Sequence, residues 1–323
     1  MNKSKLNLEL YKRLYLIRKS EDKIKEHYME DEMKTPMHMS AGEEAITAGI
    51  CQALKKDDQA FGTYRSHALY LAKSGETDGF FAEMYGKELG LAKGKAGSMH
   101  LSNPEFGLMG TSAIVGSIIP VAVGAAFANK RKKNKKIVAV FFGDGAIDEG
   151  DFWESINLAS LMKLPILFVC EDNFFAVHTS GSDRHGYECI TDIVSGFNCN
   201  VLQENTTDAE VIYSLTCKAI DLIKKTNKPC FLYLKYYRYL EHVGVNEDFD
   251  AGYRSKKEFE KWHKKDPVNL QRKKLLKIGI NEEDIVKLEN KIDKQIENSV
   301  LLAKKTPFAK PTELYKGVYC EGN

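Results

Sequence analysis

The residues with the most chemical content lie near the middle of the chain. Gly143-Asp144-Gly145-Ala146 holds a carboxylate in a tight turn between two glycines, where backbone can approach a ligand closely. After the 26 residues from 146 to 171, Asp172-Asn173 follows. The amide oxygen of Asn173 is a hard, neutral ligand. One carboxylate with one amide or backbone carbonyl suits Mg²⁺ shared with phosphate oxygens. Gly-Asp-Gly alone occurs in many turns, and Asn173 at the next strand end makes the pair informative. Arg65 offers a fork of donors matched to phosphate, and Tyr64 adds a hydroxyl. A surface Arg-Tyr pair is the plainer reading of those two. Histidines are the natural proton shuttles near neutral pH, and His242 and His67 are the candidates for such a role, with His38 and His100 as further pocket residues. His27, His178, His185 and His263 read as structural or surface residues.

The elements that must position these residues alternate. Ile137 to Phe142 is an apolar, β-branched run ending at Gly-Asp-Gly, and Phe152 to Met162 has helical spacing. Ile166 to Cys170 is a second strand, ending at Glu171-Asp172-Asn173. A helix from about 209 to 224 then precedes a strand from Cys230 to Tyr237. This rhythm predicts an α/β fold with a doubly wound parallel sheet, helices on both faces, and ligands bound beyond the carboxyl ends of the strands. Both motifs fall there. The first 35 residues form a helical segment (Leu6, Leu10, Leu14, Ile17), 36–254 the α/β domain, and 255–323 a Lys/Glu-rich helical tail. The run Lys130 to Lys136 reads as a solvated turn.

Bulk properties exclude several classes. A net charge of +2 over 323 residues gives no reason to expect nucleic acid or an anionic membrane as partner. Seven scattered cysteines without a C-x-x-C pair fit reduced thiols in a cytoplasm. Neither a membrane span nor a signal or transit peptide is recognisable.

Gly143-Asp144-Gly145 with Asp172-Asn173 resembles the thiamine-diphosphate motif G-D-G-x(about 26)-N-N, with Asp172 in place of its first Asn. Further segments are similar to the alpha subunits of the E1 component of 2-oxo acid dehydrogenases. These are Pro36-Met37-His38 with Ser40-Ala41-Gly42-Glu43-Glu44-Ala45, Thr63-Tyr64-Arg65-Ser66-His67, and Gly94-Lys95-Ala96-Gly97-Ser98-Met99-His100. The stretch from Tyr237-Arg238 to Tyr253-Arg254 and the following Asp266-Pro267 complete the order. The resemblance implies that Asp144, Asn173 and the backbone carbonyl of Phe175 bind Mg²⁺. It implies that Tyr64, Arg65, Gly143, Gly145, Ala146 and His242 surround the thiamine diphosphate. Ala113 and Val115 would meet the aminopyrimidine ring, although helix-start packing explains those two equally well. The cofactor chemistry implied is decarboxylation of a 2-oxo acid with acyl transfer to a lipoyl group borne by an E2 component, or to another acceptor. The activating glutamate would come from a beta subunit in an α2β2 assembly.

Two departures narrow what carries over. Val243 stands where the mitochondrial branch has a phosphorylated serine, and Glu241 adds a carboxylate that could raise the pKa of His242 or tune substrate choice. With Pro36 before Met37, these changes put pyruvate in doubt and keep a carboligase or an acetoin-cleaving dehydrogenase open. An NAD-dependent dehydrogenase would need a G-x-G-x-x-G after an early strand, which is missing. A non-catalytic relative should have lost Asp144, Asn173 or His242.

Overall fold

The computed structural model describes residues 2–317. Residues 318–323, with Cys320, lie outside them. The described residues form eight strands: β1 (Gln59–Thr63), β2 (Leu108–Ser112), β3 (Val138–Gly143), β4 (Ile166–Asp172), β5 (Phe175–Ala176), β6 (Thr179–Ser180), β7 (Asn200–Glu204) and β8 (Cys230–Lys235). β5 and β6 make a small antiparallel hairpin, and the other six form one parallel sheet in the order β2-β1-β3-β4-β8-β7. The doubly wound sheet predicted from the alternation of runs is therefore present.

Strand periodicity explains how both faces are covered. In β3, Ala139 and Phe141 join one apolar cluster, while Val138, Val140 and Phe142 join the other. In β4, Leu167 and Val169 face the first cluster, and Ile166, Phe168 and Cys170 the second. Such continuous apolar runs belong to strands buried on both sides. Among the described residues there are twelve α-helices, besides short 3-10 turns: α1 (Lys3–Tyr28), α2 (Glu44–Ala53), α3 (His67–Ser74), α4 (Asp78–Met84), α5 (Ile118–Lys132), α6 (Gly150–Leu161), α7 (Gly181–Arg184), α8 (Ile190–Ser195), α9 (Ala209–Thr226), α10 (Lys256–His263), α11 (Pro267–Lys277) and α12 (Glu282–Lys305). Residues of α1, α2, α9 and the C-terminal helices α11 and α12 build the first cluster, and those of α5, α6 and α8 the second.

The ends of the chain are tied to the centre by charge as well as by apolar packing. Arg18 of α1 reaches Glu44 at 2.6 Å and Asp266 at 2.8 Å. Asp266 also accepts from Asn269 N, capping α11, whose first residue is Pro267. The Asp-Pro pair is thus a helix start, and its carboxylate doubles as an anchor for α1. No described helix is long and apolar enough to cross a membrane. The six cysteines within the described range are free thiols.

Candidate active site

Strand order fixes where a ligand can enter. The connection from β1 leads to β2 on one side, and β3 lies on the other, so the sheet reverses direction between β1 and β3. A crevice opens at such a point beyond the carboxyl ends of the strands. A cavity of about 300 Å³ lies there, walled by the residues that follow β1 (Tyr64, Arg65), β3 (Asp144, Gly145, Ala146) and β4 (Asn173). Phe174 adopts the left-handed conformation at φ 74°, turning the chain directly after Asn173 so that Phe175 also reaches the cavity wall. Gly143, Val115 and His242 line the same space. Ala113 and His67 are not among its lining residues.

His67 is fully buried, with Nδ1 2.7 Å from Glu21 Oε1 and Nε2 2.6 Å from Ser98 Oγ. Both ring nitrogens are engaged, so the ring cannot reach a substrate without breaking this network. Glu21 in turn accepts from the backbone N–H groups of Ser40 and Ala41. The proton role expected for His67 therefore gives way to a structural one, in which it joins α1, α3 and the 98–100 segment behind the cavity.

His242 sits in the opposite situation. Its Nδ1 lies 3.3 Å from Arg65 Nη2 and 3.3 Å from Arg238 Nη1. Guanidinium groups only donate, so Nδ1 accepts and the neutral ring carries its proton on Nε2. Burial, followed by the charges of Arg65 and Arg238, pushes the His242 pKa down to about 3. The expectation that Glu241 would raise it fails for a geometric reason: the Glu241 carboxylate accepts from Asn246 N at 2.9 Å and closes its own turn. His38 packs against both Tyr64 and His242, with ring centroids 4.5 and 5.5 Å away, and burial lowers its pKa to about 3 as well. His100 is exposed and has no place in the cavity lining.

The segment carrying His242 is clamped at both ends. Arg254 Nη2 and Arg238 Nε donate to the carbonyl of Leu240 at 2.8 and 2.9 Å, and Arg238 reaches Tyr253 Oη at 2.6 Å. Arg254 is neutralised by Asp248. Arg65 donates to the carbonyl of His242 at 3.0 Å and to that of Met39 at 2.8 Å. The two Tyr-Arg pairs are thus the fasteners of this loop, and Arg65 is the guanidinium that stands on the cavity wall.

The Asp144 carboxylate is almost fully buried, and Oδ1 has no hydrogen-bond partner. Burial first, and the nearby Asp172 charge second, raise its pKa to about 6. Asn173 Oδ1 accepts from Phe175 N at 3.2 Å, which leaves a lone pair. Among the described residues no group of three or more His, Cys, Asp or Glu could hold a metal ion. A cation at this place must draw on carboxylate, amide, carbonyl and ligand oxygens, a hard set suited to Mg²⁺. The orphaned Asp144 oxygen, the neighbouring amide and the Arg65 guanidinium on the same cavity fit a metal–diphosphate group.

Comparison with known proteins decides the family. The Dehydrogenase E1 component family matches residues 12–312. The chain belongs to the dehydrogenase E1 component family. It is 33% identical over 316 residues to the alpha subunit of acetoin:2,6-dichlorophenolindophenol oxidoreductase of Bacillus subtilis, covering 97% of this chain and 93% of that one. To the pyruvate dehydrogenase E1 component subunit alpha of Zymomonas mobilis it is 31% identical, covering 96% and 88%. To that of Rhizobium meliloti it is 32% identical, covering 97% and 89%. E1 dehydrogenases depend on thiamine diphosphate, which accords with the cavity just described.

Several E1 cavity residues carried no assigned role in the sequence. Glu43 and Glu171 are buried carboxyl groups in the lining, each with one oxygen unpartnered. Burial raises the Glu43 pKa to about 8 and that of Glu171 well above its usual range. The pair Glu43-Glu44 divides its labour, Glu44 serving Arg18 and Glu43 the cavity. Two consecutive glutamates at a helix start give no sign of which one turns inward. Asp148 also lines the cavity and Arg184 pairs with both Asp144 and Asp148, though both sit in polar stretches that read as surface.

Proposed function

We propose that this chain is the alpha subunit of an E1-type enzyme that decarboxylates a 2-oxo acid and transfers the acyl group to a lipoyl or other acceptor. The observation that carries it is the unpartnered, buried oxygen of Asp144 facing Arg65 and His242 across one cavity at the reversal point of the sheet. In this reading Asp144, Asn173 and the Phe175 carbonyl hold Mg²⁺, and Arg65, Tyr64 and His242 face the diphosphate. Bound thiamine diphosphate supplies the carbanion chemistry. The chain's own residues orient it, and the neutral His242 donates from Nε2. His67 supports the site from behind.

The relatives named as alpha subunits support a beta partner that completes the site in an α2β2 assembly. An exposed apolar surface on α5 and α6 (Val121, Phe127, Leu158, Leu161) supports its place of docking. The Bacillus subtilis relative named as an acetoin oxidoreductase subunit keeps an acetoin-cleaving or carboligating reaction as the second reading. Binding of thiamine diphosphate to the assembly, titrated calorimetrically with and without Mg²⁺, tests the assignment. Asp144→Ala should abolish Mg-dependent binding while the circular dichroism spectrum is retained. Unchanged affinity in that variant would sink it.

A further inference from the structure

The surroundings of Asp144 hold a second arginine that the cofactor reading does not use. Arg184 ends α7 and forks between two carboxylates: Nη2 donates to Asp144 Oδ2 and Nη1 to Asp148 Oδ2. His185 Nε2 lies 2.9 Å from Asp148 Oδ1, so Asp148 is held from a second direction. Asp144 stands between two cavities, the one already described and a neighbour of about 250 Å³ bounded by Gly181, Ser182 and His185. One of its oxygens is therefore committed to the guanidinium, and the other, Oδ1, is buried and free.

We propose that Arg184 is the positioning residue of the metal site, holding Asp144 by Oδ2 so that Oδ1 alone meets the divalent cation. This rests on the reading of Asp144 as a metal ligand. The torsion that turns a carboxylate is soft, with a broad and nearly two-fold profile. An unrestrained Asp144 could rotate or offer both oxygens at once. Mg²⁺ demands near-octahedral geometry with little tolerance, so a fixed single oxygen matters. A guanidinium fork fixes two carboxylates in one plane, whereas an ammonium is a point charge that fixes neither. Asp148 also neutralises the cation, so Arg184 does not repel the metal as an isolated arginine would. Partners of this kind typically change metal affinity by about 10–100-fold when removed.

The experiment uses tagged chains expressed in the native cells and isolated with the subunit that accompanies them. Mn²⁺ with inorganic pyrophosphate is the probe. Free Mn²⁺ is read by electron paramagnetic resonance, and thermal unfolding is followed in parallel. Wild type should retain Mn²⁺ and Asp144→Ala should not. Arg184→Ala should bind about 10–100-fold more weakly with a broadened bound-metal signal, while still unfolding cooperatively. Arg184→Lys should recover only part of the affinity. If Arg184→Ala binds Mn²⁺ as wild type does, the positioning role is overturned. Tighter binding overturns it too, and makes the guanidinium a competitor of the metal. Equal binding by wild type and Asp144→Ala would remove the metal reading itself, and this inference with it.

Discussion

Glu43 illustrates how one side chain in this site trades stability against charge. It is fully buried, and its pKa is raised to about 8, so at neutral pH the folded protein mostly holds it as a neutral acid. In the unfolded chain the same group ionises near its ordinary value of about 4.5. The folded state thus binds the proton more tightly. Its contribution is full below about 4.5 and is lost as pH rises toward 8. Glutamine copies the neutral acid without the titration. From pH 5 to 8, wild type should lose melting temperature steadily relative to Glu43→Gln, measured by calorimetry at matched ionic strength. Parallel curves for the two proteins would mean that Glu43 is already ionised in the fold.

At the scale of elements, the site depends on short polar links between helices as much as on the sheet. Gly42 shows how closely the parts approach: at φ +107°, a Cβ there would stand 2.0 Å from the carbonyl oxygen of Tyr237. The segment before α2 and the loop after β8 touch through that glycine. The Glu21–His67–Ser98 network ties the same region to α1 and α3. Removing His67 leaves Glu21 Oε1 buried without its partner while Ser40 and Ala41 still hold Oε2, which costs on the order of 3 kcal/mol. His67→Ala should therefore lower the urea midpoint with little change in slope. Wild-type stability with lost turnover would restore a direct chemical role for that histidine. The sequence made the inner strands legible because β3 and β4 are unbroken apolar runs with ligand-type residues at their ends. It did not reveal β1 or β2, whose stretches Gln59–Thr63 and Leu108–Ser112 are short, contain glycine and take their form from their neighbours. Glu21 was equally hidden. On a helix of alternating charges it reads as solvated, yet it is 2% exposed. The positions around Asp144 and Asn173 could be read because the chemistry demands particular residue types there. Arg184 could not, since its value lies in reaching back 40 residues to Asp144.

For the whole molecule, the distribution of exposed apolar surface indicates what the chain is built to join. Phe127 and Leu158 are about half exposed and Leu161 is three-quarters exposed, on adjoining helices that pack on the same side of the sheet. They flank an apolar depression bounded by Pro120, Gly124, Leu158 and Met162. Such a patch is costly in water and supports the proposed docking of a partner on this face. Val115, on the cavity wall, leads directly into α5. A subunit seated on α5 and α6 would therefore also stand beside the mouth of the cofactor cavity. A beta partner placed there would be positioned to complete the proposed site. Phe127→Glu places a charge on the patch, where burying it unpaired would cost several kcal/mol. Because the side chain is exposed in the free chain, folding of the variant should be nearly unaffected. Size-exclusion chromatography with light scattering should find it unable to enter the larger assembly, with cofactor binding lost alongside. An assembly that forms with wild-type affinity would place the partner on a different face.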